Sequence, residues 1–370
     1  MRAPFASFVS RASGLFQAER LRCPTGMRAR TLRSSLACLV VVVGGVGAVG
    51  CGDLSQDDLL FRAAIPSKQA VAVVPPGSSN GAGDGAGQAL TAGCDDGDLR
   101  CDAAALADHF NGLTFSILDI IDTIAALPPT ARAPGRRVWG PGYDADKGNT
   151  FRFEMVRDDD VKFRFCLHAA AGRHDGGGEG LDCDQTARGP FVRVLDGAFS
   201  PDSLADASAR NGAGTMHLDL AALAGIGDVD ADNSFARELA FAFDNRDGAT
   251  SIHIDLQGAH VDDVDRDAGY DFERDASGAG SFSLVIFKDV VDGALPRSRA
   301  ERIRLLARWT DDDSGRAAGI VDEGNTTAPV SLSQCWDATL STSYTRAVDG
   351  TTTGEEATCA FAADDVVPPA

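Results

Sequence analysis

Two short acidic runs hold the residue types best suited to chemistry. Asp228, Asp230 and Asp232 stand in DVDADNS, and Asp263, Asp265 and Asp267 in DVDRDAG. Alternate aspartates turn carboxylates toward one point, and hard oxygen donors at that spacing suit calcium. Both runs depart from an EF-hand loop: Asn233 and Ala268 stand where glycine is required, and Glu238 falls one position short of the bidentate glutamate. Calcium is the one cofactor these six residues suit, and none other is expected; as solvated loops on an acidic chain they need no ligand at all. His217-x-Asp219 and His253-x-Asp255 form a second pair of motifs. Residues two apart on a strand share a face, so each histidine points with its aspartate. With another strand between them the two motifs stand about 10 Å apart, too far for one shared ion. Neither an H-E-x-x-H motif nor a Walker loop occurs, and no catalytic residue is assigned.

Cysteine comes next. Cys94 and Cys101, Cys166 and Cys183, and Cys335 and Cys359 lie as near neighbours. Six cysteines allow 15 connectivities, of which this local pairing is the favoured one. Disulfides require an oxidising compartment, and no close Cys-x-x-Cys cluster argues for zinc instead.

The stretch that sets the compartment is MRARTLRSSLACLVVVVGGVGAVGC, residues 27–51. Arg28, Arg30 and Arg33 precede a short apolar run that ends in small residues, the build of an export signal. At less than about 20 apolar residues, with three glycines, the run is too short for a membrane span. A cysteine directly after the small residues resembles the lipobox of bacterial lipoproteins, with Ala48 where that family usually has leucine. The resemblance implies cleavage before Cys51 and acylation of that residue, hence a membrane partner held through lipid. An ordinary signal peptidase would cut the same bond and leave a soluble protein. Residues 1–26 precede this complete signal and are set aside as an upstream start; 27–50 form the signal peptide.

Charge agrees with export. The whole chain carries a net −20. Such a surface repels phosphate backbones, and no basic patch with interleaved aromatics offsets it, so no nucleic-acid partner is expected.

Residues 51–93 include PPGSSNGAGDGAG and read as a lipidated cysteine followed by a flexible linker. Residues 94–370 are expected to form a single β-rich domain. A helix is predicted from Asp102 to about Ala126, where Leu106, Phe110, Leu113, Ile117, Ile120, Ile121 and Ile124 recur at three- and four-residue steps and Pro128-Pro129 stops the pattern. From Phe151 the period changes to two, giving about eight strands with one apolar face. The expected fold is α+β, mainly antiparallel β: a curled sheet or barrel-like meander covered by one N-terminal amphipathic helix. GAGTMHL (212–218) returns as GAGSFSL (278–284), which predicts an internal repeat over 212–255 and 278–322.

The GAG-strand units and the Gln334-Cys335-Trp336-Asp337 segment resemble uncharacterised β-rich envelope lipoproteins of high-GC bacteria. That resemblance implies an envelope location facing periplasm or cell surface and brings no activity with it. The expected role is non-catalytic binding or structure, with an envelope protein or an apolar ligand as partner. The alternatives are a carrier holding an apolar ligand between sheet and helix and, last, a metal-dependent hydrolase.

Overall fold

The computed structural model describes residues 54–76, 98–175, 180–204, 211–227, 236–261, 264–288 and 300–370. Its helices are α1 (Gln56–Ala63), α2 (Leu99–Ala125) and the short α3 (Leu220–Gly225). The strands are β1 (Ala131–Ala133), β2 (Arg136–Asp144), β3 (Asn149–Arg157), β4 (Phe163–Ala171), β5 (Ala187–Arg188), β6 (Phe191–Pro201), β7 (Gly212–Asp219) and β8 (Glu238–Asp244), then β9 (Thr250–Val261), β10 (Val264–Arg274), β11 (Gly280–Lys288), β12 (Glu301–Trp309), β13 (Gly315–Asp322), β14 (Val330–Trp336), β15 (Thr342–Arg346) and β16 (Thr352–Gly354). All sixteen join one antiparallel sheet in which each strand pairs with its neighbours in the chain, β5 standing off the path beside β6. The sheet is open: β1 and β16 end it without pairing.

The alternation predicted from sequence is the alternation observed. In β8, Leu239, Phe241 and Phe243 are buried while the residues between them are not, and β12 repeats the pattern from Ile303 to Trp309. One apolar face per strand leaves a curved sheet with a greasy concave side, which must be covered.

Helix α2 covers it. Asp98 caps the helix by accepting from the Arg100 and Cys101 N–H groups at 3.0 and 3.2 Å. Leu99, Ala103, Ala107, Phe110, Ile117 and Ile121 are buried and belong to the same cluster as the concave faces of β2 to β14. At one end the Leu99 N–H donates to Gln334 Oε1 in β14 at 2.8 Å. Just past the other end Trp139 Nε1 in β2 donates to the Leu127 carbonyl at 2.8 Å. These contacts lie eleven strand steps apart, an arc of about 53 Å at normal strand spacing, whereas 27 helical residues span about 40 Å. The sheet therefore bends around its helix.

The GAG repeat has a packing cause. Gly214 in β7 lies directly opposite Phe243 in β8, and Gly280 in β11 directly opposite Trp309 in β12. A Cβ on Gly214 would meet the Phe243 ring at 2.5 Å, and one on Gly280 the Trp309 ring at 2.7 Å. Each glycine is a slot over which the cross-strand ring lies flat.

The linker expected over 51–93 needs correction in its described part. Residues 54–76 are packed: Phe61, Ile65, Val71 and Val73 are buried. Ser55 and Asp58 form a reciprocal capping box, 2.9 and 3.1 Å, at the start of α1. Asp58 also accepts from Arg137 and Arg132. Burial alone would raise its carboxyl, but the bonds from the Ser55 N–H, Arg137 and Arg132 outweigh that and hold it at about 2. The segment then runs antiparallel to α2, with Arg62 on Asp122, Lys68 on Asp119 and Val73 bonded both ways to Asn111.

Two substitutions test this account. Gly280→Ala should lower stability by about 1–3 kcal/mol through overpacking against Trp309. Phe110→Ala, which removes the ring lying 4.0 Å from Tyr270, should cost about 3–5 kcal/mol. Urea midpoints at constant slope would measure both.

Candidate functional site

The sheet's outer face carries the polar chemistry. His217 on β7 sits between Asp196 of β6, at 3.3 Å from Nδ1, and Glu238 of β8, at 3.4 Å from Nε2. His253 on β9 sits between Asp271 of β10, at 2.5 Å from Nδ1, and Asp255, at 3.0 Å from Nε2. The strand order β7-β8-β9 puts the two histidines opposite Ala240 and Ala242 of the intervening strand. Those small side chains floor a shallow groove of about 280 Å³ walled by Asp196, His217, His253 and Asp255. Each imidazole is engaged on opposite sides by its own carboxylates, so the two do not converge. Among the described residues no group of three or more His, Cys, Asp or Glu is placed to hold a metal ion.

Of the six aspartates in the acidic runs, Asp228, Asp230, Asp232 and Asp263 lie outside the described residues. Asp265 and Asp267 fall in β10, and Asp267 Oδ1 accepts the Gly258 N–H at 3.0 Å, a bond across the irregular register of β9 and β10. The described residues flanking both runs, Asp219 with Glu238 and Val261 with Val264, lie at the same end of the sheet. Gly77-Ser78-Ser79-Asn80-Gly81 has the spacing of a nucleophile elbow, but residues 72–75 before it form no strand and the match itself is outside the described residues.

A second cluster sits under the segment 180–190. Glu154 on β3 is fully buried between Arg136 Nε at 2.7 Å and Arg152 Nη1 at 3.2 Å. His168 on β4, also fully buried, lies within 2.9 Å of the Gln185 carbonyl through Nε2. Burial pushes its pKa below the usual 6.5, and the nearby Arg152 and Arg193 add to that. The Cys166–Cys183 disulfide closes this cover, Cα atoms 5.4 Å apart. Strand periodicity assigns Glu154 and His168 to a solvated face; the flanking cysteine pair is the only sequence signal that something lies over them.

At the far side the Cys335–Cys359 disulfide holds the C-terminal segment across β12 and β13. Arg304, Arg308 and Arg316 donate there to the carbonyls of Pro369, Asp365 and Phe361 at 2.9, 3.1 and 3.2 Å. Both expected pairings among these four cysteines are thus present. Cys101 is disulfide-bonded, while Cys94 and Cys51 lie outside the described residues. No family model, curated protein or solved structure matches this chain.

The two histidines make opposite contributions to stability. The hydrogen bond to Asp271, against the opposing effect of burial and with help from Asp255, raises His253 above 6.5. Its contribution is therefore full below 6.5 and lost as pH rises through the folded value. His168 is lowered, so the unfolded chain takes the proton first and stability falls as pH drops below 6.5. Denaturation midpoints between about pH 5 and pH 8 should show His253→Asn losing most at the acid end, and His168→Asn with a flatter acid limb than the parent.

Proposed function

We propose that this chain is an exported, lipid-anchored protein of the cell envelope, its β-rich body serving a non-catalytic binding or structural role. One observation favours this role over that of a carrier of an apolar ligand. The concave face, where a curled sheet would hold a ligand, is filled by the chain's own α2 from β2 to β14. A carrier would need volume where Phe110 and Tyr270 meet ring to ring. On the outer face His217 and His253 are each engaged by two carboxylates, and Glu154 lies between two arginines.

Export draws support from the cysteines. Cys166–Cys183 and Cys335–Cys359 each tie down a segment that crosses the outer face, and such bonds persist in oxidising compartments. The chain's net charge of −20 gives no general electrostatic attraction to anionic lipid, so attachment rests on the acyl group.

Intact mass of the protein purified from cell membranes tests the reading in one spectrum. The expected species begins at Cys51, carries acyl mass there and has its six remaining cysteines oxidised. Full-length cytosolic protein with free thiols would sink it.

A further inference from the structure

We propose that the corner formed by α1, the α2–β1 connection and the β1–β2 hairpin lies against the bilayer. The proposal rests on acylation of Cys51 and adds the surface that this anchor presents to the lipid.

Chain length is the first argument. Four residue steps separate Cys51 from Ser55, a reach of about 14 Å when fully extended. Ser55 is not free to wander. It caps α1, and α1 is fastened to the hairpin by buried Asp58 through Arg132 and Arg137. Phe61 of the same helix lies beneath the Arg137 guanidinium at 4.9 Å and edge-on to Phe163 of β4 at 5.5 Å. An acyl chain on Cys51 therefore brings the membrane to this corner before any other described part of the body.

Composition is the second. From Thr123 to Tyr143 the sequence holds no Asp or Glu and three arginines, Arg132, Arg136 and Arg137, on a chain of net −20. Asp57, the one acid of the first turn of α1 besides Asp58, is paired with Arg137. Leu59 and Leu127, 48% and 42% exposed, are two of the four large apolar side chains left exposed among the described residues, and both belong to this corner. Around Leu127 the exposed chain is Pro128, Thr130, Ala131, Arg132, Ala133 and Pro134. Small apolar residues with a partly exposed arginine suit the headgroup layer, where apolar groups enter and guanidinium meets phosphate.

The test uses the full acylated chain, purified from membranes and reconstituted into vesicles of phosphatidylcholine with phosphatidylglycerol. An environment-sensitive fluorophore is placed on Leu127→Cys, on Ala133→Cys, or on Thr351→Cys, and quenched by a spin label carried on the lipid. Thr351 lies beyond β15, near the end of α2 opposite Leu127. The expected result is quenching several-fold stronger at 127 and 133 than at 351, with a blue shift at the first two only. Equal quenching at all three positions in protein whose mass shows acylated Cys51 would overturn the surface while leaving the anchor standing. An unacylated Cys51 in the same sample would overturn both.

Discussion

An open antiparallel sheet with one apolar face cannot exist uncovered in water, and here helix α2, with the packed segment 54–76 beside it, supplies the cover. Helix α2 is long enough to reach from β2 to β14 only because the sheet bends toward it. Curvature and cover are thus one constraint. Small inward residues such as Gly214 and Gly280 let Phe243 and Trp309 lie across the neighbouring strand, so bulky rings fill the curve without forcing the strands apart. The indole N–H of Trp309 finds the Gly278 carbonyl at 2.9 Å, and that of Trp336 the Asp313 carbonyl at 2.7 Å, so the rings are buried without a polar cost.

The outer face obeys a different rule. Where it is bare, polar side chains pair across strands, as His253 does with Asp271. Where a segment crosses it, the groups beneath must be satisfied internally, and arginine provides most of that. Glu154 lies between two guanidinium groups, and Arg316, only 2% exposed, reaches Ser333, Glu356 and the Phe361 carbonyl. Each crossing segment is held by a disulfide, Cys166–Cys183 at one end of the sheet and Cys335–Cys359 at the other. Covalent closure of these loops removes freedom from the unfolded chain, which compensates for how little apolar surface such segments bury.

What is legible in the sequence follows from which interactions are periodic. Inward residues of β8, β9, β11 and β12 alternate strictly because one face is greasy, and the helical stripe of α2 repeats for the same reason; both are readable. The two disulfides follow from neighbouring cysteines. Segment 54–76 escapes notice because its buried Phe61, Ile65, Val71 and Val73 together follow neither a helical nor a strand period, and Leu59 beside them is exposed. Strand β6 hides in FVRVLDGAFSP, where Gly197 interrupts the pattern; glycine stands there because a Cβ would meet the Phe165 ring and the Thr215 carbonyl, and the strand is held by its pairing with β4 and β7. Glu154 and His168 are unreadable in principle from local pattern. Their burial is decided by a segment placed over them after the strand has already turned them outward.

Open sheets carry one further liability, since each edge strand offers unpaired N–H and C=O groups to any passing chain. Both edges here are only three residues long. At one, Pro134 follows β1 directly and Asp58 of α1 engages Arg132 within it. At the other, Gly354 ends β16 with a φ of 77°, and the chain turns away into a one-turn helix whose Glu356 is bound by Arg316. The long strands, β9 and β10 above all, lie in the middle where both sides are paired. A chain that places its longest strands centrally and its shortest at the rims gains the breadth that α2 needs without exposing an edge long enough to template pairing. That arrangement, rather than closure into a barrel, is how this fold guards its two edges.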